Sequence, residues 1–301
     1  MIFIRYVLII LISAFINLNV LAAPTFVDAF SVNSEEIRPN GLTFNNDGTK
    51  MFVTGHDGDD VNEYKLTTGF DISTATFVDS FDTESEDNDS RDVKFNQDGT
   101  KMFVLGKQND RVCEYTLSTG FDVSSTVTFV DCASVSEESK PDELEFNPDG
   151  TKMFVMGESG DDVNEYTLST GFDVSTATFV DSFSVSSEET TPMGLAFTYD
   201  GTKMFVTGWT GEDINEYTLS TGFDVSTATF VDSFSITDQD DEPGSLAFSS
   251  DGSKLFLLGR ENNKVYEYTL TCYYGVINCM DPTSDKDDVA SVEAQTESAK
   301  Q

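Results

Sequence analysis

The chain has 301 residues, 54 of them acidic against 17 lysines and arginines, and a single histidine, for a formal charge of −37. That balance repels nucleic acid and anionic lipid, and one histidine excludes a histidine-based metal cluster. The length is ample for one large hydrophobic core.

In chain order, the first element is not part of the fold. A short basic n-region ending at Arg5 precedes the apolar run 6–16, and Val20-Leu21-Ala22 supplies small residues for cleavage. The segment reads as a signal peptide, 1–22, cut after Ala22. The rival is an uncleaved anchor, whose apolar core is short for a bilayer span of ~20 residues. The mature chain is therefore expected to be exported (secreted, periplasmic or at the cell surface) and to have no membrane span.

From residue 23 to 271 the chain repeats. Asp-Gly recurs at Asp47, Asp98, Asp149, Asp200 and Asp251, 51 residues apart each time. Between two apolar runs, Asp-Gly marks a tight hairpin turn. Each copy holds four strands. In the first copy they are a short one over 42–45, one over 50–54 after the turn, an alternating one over 61–66, and one over 76–81. A turn-like Thr-Gly-Phe-Asp-Ile-Ser joins the last two. Four short antiparallel strands per repeat make a propeller blade. The mature chain opens with a fourth-type strand (25–30), and the last repeat lacks one. The expected fold is all-β: a five-bladed propeller of five 51-residue repeats, its ring closed by the N-terminal strand completing the last blade.

The four cysteines of an exported chain suggest two disulfides out of three possible pairings. Cys113 and Cys132 lie on successive strands of one repeat, and Cys272 and Cys279 close a small loop after the last repeat. Four free thiols are the alternative. Residues 272–301 are this loop and an acidic polar tail. Ser284 and Asp287 fit a helix cap, disorder fits the polarity equally, and the chain reads as the front of a longer surface protein.

The run Phe146-Asn-Pro-Asp-Gly-Thr-Lys-Met-Phe-Val155, then Gly157 and Asp161-Asp-Val-Asn-Glu-Tyr-Thr-Leu-Ser-Thr-Gly171, resembles the YVTN-type and related WD-like propeller repeats. The resemblance covers 25–271. It implies the propeller fold and a family that spans lactonases, surface-layer proteins and binding scaffolds.

Positions kept in all five copies serve the blade, and Glu63, Glu114, Glu165, Glu216 and Glu267 read as structural on that ground. Positions that differ in every copy are free for other work. One set is His56, Lys107, Glu158, Trp209 and Arg260. Another is Asn40, Arg91, Asp142, Met193 and Gly244. Both are expected to ring one mouth of the channel as ligand- or partner-binding residues, the first set projecting into solvent. The loops of that face are also crowded with acids. Asp57, Asp59 and Asp60, or Asp161 and Asp162, are candidate Ca²⁺ ligands, although the EF-hand spacing fails at Val61 and solvated acidity is the plainer reading. A Ser-His-Asp triad would need His56, which sits in an exposed-looking Gly55-His56-Asp57-Gly58 turn. A carboxylate hydrolase needs a raised-pKa acid in a partly apolar cleft, which no acidic residue displays in sequence. The expected function is thus a non-enzymatic scaffold presenting an acidic face to a protein or cell-surface partner, with glycan binding through Trp209 as the alternative.

Overall fold

The computed structural model describes residues 24–270 except Thr237. The signal segment, Cys272, Cys279 and the tail lie outside the described residues.

Five four-stranded antiparallel sheets form five blades. Blade 1 is β2 (Pro39–Phe44), β3 (Lys50–Gly55), β4 (Asp60–Leu66) and β5 (Ala75–Asp82). Blade 2 is β6 (Ser90–Phe95) through β9 (Val127–Ser134), and blade 3 is β10 (Pro141–Phe146) through β13 (Ala177–Ser184). Blade 4 is β14 (Pro192–Phe197) through β17 (Ala228–Ser235). Blade 5 is β18 (Pro243–Phe248), β19 (Lys254–Gly259) and β20 (Lys264–Thr269), with β1 (Thr25–Ser31) as its outermost strand. The N-terminal strand pairs with β20 from Thr25–Thr269 to Ser31–Lys264, so the ring closes as the repeat phase implies.

Two elements differ from the sequence reading. The innermost strand begins at Pro39, three residues before the expected start. Proline has no N–H to donate, yet it is tolerated as the first residue of a strand. Here Pro39 pairs with Gly55 and a bulge follows before Gly41. The Thr-Gly-Phe-Asp-Ile-Ser turn contains a single 3-10 turn (Ile72–Thr74, Val174–Thr176, Val225–Thr227). The expected Asp-Gly hairpins are present. Gly48 has φ 68°, and a Cβ there would lie 2.4 Å from the Phe70 ring, so only glycine closes the turn.

The core lies between blades. Each of five apolar clusters draws on two neighbours, and the last joins Phe256, Leu258 and Val265 of blade 5 to Leu42, Met51 and Tyr64 of blade 1. Second-strand phenyls meet the next inner-strand phenyl: Phe52–Phe95 at 4.5 Å, Phe154–Phe197 at 4.6 Å, and Phe256–Phe44 at 4.5 Å across the closure. The kept Lys-Glu pair clamps the same interface. Lys152 Nζ lies 2.7 Å from Glu165 Oε1, while Glu165 Oε2 accepts the Val225 N–H of the next blade at 3.1 Å. Glu267 does the same across the closure, accepting from Ile72. These glutamates are structural, as expected. Cys113 and Cys132 are directly opposed on β8 (Arg111–Leu117) and β9 and form the expected disulfide.

Candidate functional site

Innermost strands from all five blades surround the channel, and their residues alternate. Leu42, Val93, Leu144, Leu195 and Leu246 turn into the blade interfaces. The residues on either side vary between copies: Gly41, Asp92, Glu143, Gly194 and Ser245 in one tier, then Thr43, Lys94, Glu145, Ala196 and Ala247 in the next. The channel is narrow enough at the first tier for Ser245 of blade 5 to donate to Glu143 of blade 3 at 2.9 Å.

Four of these residues form one cluster. Lys94 Nζ lies 3.2 Å from Asp92 Oδ2 and 3.1 Å from both Glu143 Oε1 and Glu145 Oε1. Asp92 and Glu143 are fully buried, and Glu143 Oε2 has no hydrogen-bond partner. Burial alone would lower the Lys94 pKa. The three carboxyls outweigh it and hold the ammonium well above the usual lysine range. One ammonium cannot satisfy three acids. Burial and then the neighbouring Asp92 push Glu143 well above the usual carboxylate range. Burial also raises Asp92 and Glu145, against the pull of Lys94.

Lys94 and Glu145 form part of the wall of a cavity of about 760 Å³ at the Asp-Gly end of the channel. Phe44, Phe95, Phe146, Phe197 and Phe248 encircle it, each half-buried, and the exposed Tyr199 stands among its lining residues. The cavity thus combines apolar rings, one ammonium and a carboxyl with a raised pKa.

At the opposite mouth the structure does bring the expected variable residues together. His56 Nδ1 is 2.8 Å from Asp89 Oδ1, and Arg91 Nε is 2.7 Å from the same oxygen. Arg91 reaches Asp142 at 3.4 Å, and Lys107 bridges Asp142 and Glu158, each at 3.0 Å. Arg260 stacks over Trp209, 4.6 Å from the ring centroid. Burial pushes the Asp142 carboxyl up to about 6, with Lys107 and Arg91 opposing. The expectation that His56, Lys107, Glu158, Trp209 and Arg260 project into solvent is corrected. Asn40, Arg91, Asp142 and Met193 are buried and His56, Lys107, Glu158, Trp209 and Arg260 half-buried, because the bulge after Pro39 turns the second residue of each inner strand into the ring.

Much of the acidity of this face is also built in. Glu36, Asp87, Glu138, Glu189 and Asp240 are buried and cap two loops each. Glu189, for instance, accepts the N–H groups of Thr191, Thr210 and Gly211. Asp57 pairs with Arg38 at 3.3 Å, while Asp60 and Asp162 accept from Asn62 and Asn164. Asp59 and Asp161 occupy positive-φ turn positions. Among the described residues no group of three or more such side chains is arranged to hold a metal ion.

Sequence reasoning missed the two channel tiers. A signal was present: Lys94 and Glu145 occupy equivalent strand positions where the other copies carry Thr or Ala.

No family model matches the chain, and no curated protein does. Solved structures are similar in fold. A luciferin-regenerating enzyme has TM-score 0.53 and 11% identity over 84% of this chain and 98% of its own. A periplasmic gluconolactonase from Pseudomonas aeruginosa has TM-score 0.48 and 16% identity over 79% and 68%. A candidate 6-phosphogluconolactonase from Bacteroides uniformis has 0.49 and 13% over 79% and 68%. At these identities the likeness shows the fold: a β-propeller. No helix among the described residues is long and apolar enough to cross a membrane.

The expectation of a non-enzymatic scaffold, with glycan binding as its alternative, is corrected. The channel holds what was missing from the sequence, a carboxyl raised by burial on the wall of a phenyl-ringed cavity.

Proposed function

We propose that the chain is a hydrolase acting on a small, neutral cyclic ester at the Asp-Gly end of the channel. The observation that carries this reading is Glu145 and Lys94, 3.1 Å apart, on the wall of the phenyl-ringed cavity. Phenyl rings suit the C–H faces of a ring substrate, and the polar pair suits its carbonyl. Water attacks the carbonyl carbon as Glu145 accepts its proton. Lys94 donates to the developing oxyanion, the ring C–O bond breaks, and the proton passes to the leaving alkoxide. Asp92 and Glu143 hold Lys94 from behind and position it. A neutral substrate is favoured over a phosphorylated one, because three carboxyls surround the only ammonium and the whole chain carries −37.

The test is a panel of sugar lactones, with and without phosphate, followed by acid release. Glu145→Gln and Lys94→Met should each lower kcat/KM on the neutral lactone by ~10²-fold or more. Full activity in Glu145→Gln, or no turnover of any lactone by the wild type, overturns the reading. Within the same proposal the repeats are YVTN-type and the chain is exported. The Cys113–Cys132 disulfide supports export.

A further inference from the structure

The mouth opposite the cavity carries donors that its ion pairs leave unused. Asn40 is 2% exposed, yet neither atom of its amide is hydrogen-bonded. Trp209 Nε1 and Arg260 Nε and Nη1 are buried in the same unpartnered state. Unpaired buried polar atoms are rare in folded proteins, and four of these five are donors, so the opening calls for an acceptor.

The three residues adjoin one another at the inner strand of blade 5. A Cβ on Gly244 would lie 3.2 Å from Arg260 Cγ and 3.3 Å from the Asn40 carbonyl oxygen. Glycine therefore lets the Arg260 methylenes lie across the inner strand of blade 5, with Asn40 on its far side and Trp209 under the guanidinium. The other cations of the mouth are occupied: Arg91 by Asp89 and Asp142, and Lys107 by Asp142 and Glu158. Arg260 makes no ion pair among the described residues, and burial and then Arg91 disfavour its charge, outweighing the more distant Asp142, Glu242 and Glu158. A bound anion would supply the missing acceptor and the missing charge together.

We propose that this mouth binds the carboxylate group of a small organic acid, with Arg260 as its counter-ion and Trp209 Nε1 and Asn40 Nδ2 as further donors. A single negative charge is the fitting class. Asp142 and Glu158 already neutralise the neighbouring cations, so a dianion such as sulfate would meet their field with one free guanidinium to offset it. The site is separate from the Lys94–Glu145 cavity and does not depend on the reaction proposed there.

Trp209 is the only tryptophan of the chain, so its fluorescence reports on this site alone. The intact protein is titrated with sodium acetate, sodium gluconate and sodium sulfate at constant ionic strength. Acetate or gluconate should give a saturable change and sulfate none at the same concentrations. Arg260→Gln and Asn40→Asp should each weaken the midpoint tenfold or more with an unchanged melting temperature. If Arg260→Gln fails to fold, the near-isosteric Asn40→Asp, which replaces a donor with a like charge, decides alone. A signal linear in concentration, or one midpoint shared by all variants, overturns the site. Equal saturation by sulfate overturns the carboxylate assignment.

Discussion

The interfaces between blades and the wall of the channel are built from the same repeat under opposite rules. At the interfaces one arrangement recurs: a phenyl pair, a buried glutamate, and a lysine 2.7 Å from it in every blade. On the channel wall, side chains of the same inner strand differ from copy to copy, and three acids converge on one lysine. Both regions bury carboxyls, yet only the interface gives each its own cation, and there Glu63, Glu114, Glu165 and Glu267 accept a backbone N–H of the next blade as well. Symmetry serves the fold. Departure from symmetry marks where chemistry is possible.

The sharpest way to break this contrast is to remove one acid from each region. Glu165→Ala strips Lys152 of its carboxylate and Val225 of its acceptor. It should cost about 3 kcal/mol or more, read by urea unfolding. Glu145→Ala removes an acid from a cluster that has too many, and should cost much less while abolishing turnover. Equal destabilisation would put Glu145 in the structural class.

The contrast extends to pH. The exposed turn aspartates, Asp47 among them, have pKa values lowered by bonds from Thr49, so their contribution is present above the unfolded pKa and lost on acidification. Asp142 runs the other way. Its folded pKa, about 6, lies above the ordinary aspartate value of 3.8, so its contribution is complete below pH 3.8 and lost as pH rises to 6. A shift of this size corresponds to about 3 kcal/mol. Wild-type stability should therefore fall between pH 4 and 6, and Asp142→Asn should flatten that segment. An unchanged slope in the variant would show that Asp142 titrates normally.

The disulfide is a third departure from symmetry, and the other blades supply its control. At the register of Cys113–Cys132 stand Asn62–Ser80, Asn164–Ser182 and Asn215–Ser233. Cys113→Asn with Cys132→Ser should fold, and should lose about 2 kcal/mol under oxidising conditions as the cross-link's constraint on the unfolded chain disappears. No loss would mean that the pair restrains nothing the hairpin does not.

What the sequence revealed follows the same division. Five Asp-Gly turns at one spacing make the blades, their number and the closing strand legible, because those features depend on what the copies share. Pro39 concealed the start of the inner strand, since a proline reads as a boundary until a bulge accommodates it. The channel was harder. Asp92, Lys94, Glu143 and Glu145 come from two copies and meet only when neighbouring blades pack side by side, so no short stretch of chain contains the site. The acidic loops misled for a related reason: Glu189 and its equivalents look like surface charge, but each is buried under the loop whose N–H groups it caps.

The smallest expected effect tests whether symmetry in the repeated regions needs charge at all. Each repeated tyrosine hydroxyl donates to a side chain 29 residues earlier: Tyr64 to Glu35, Tyr115 to Glu86, Tyr166 to Glu137 and Tyr217 to Glu188. In blade 5 the acceptor is an amide, with Tyr268 donating to Gln239 Oε1 at 3.1 Å. The molecule thus contains its own substitution, and the bond survives it at a length within the range of the other four. Glu137→Gln should accordingly keep the Tyr166 bond and lose only the charge assistance, a few tenths of a kcal/mol and at most ~1. Removing one negative charge from a strongly acidic face works in the opposite direction, so the net change in melting temperature should be close to zero at low salt. Glu137→Leu removes the acceptor altogether and should cost more, because the half-buried hydroxyl then has no partner. If Glu137→Gln destabilises as much as Glu137→Leu, the charge itself holds blade 3, and Gln239 in blade 5 must be offset by some contact the other blades lack.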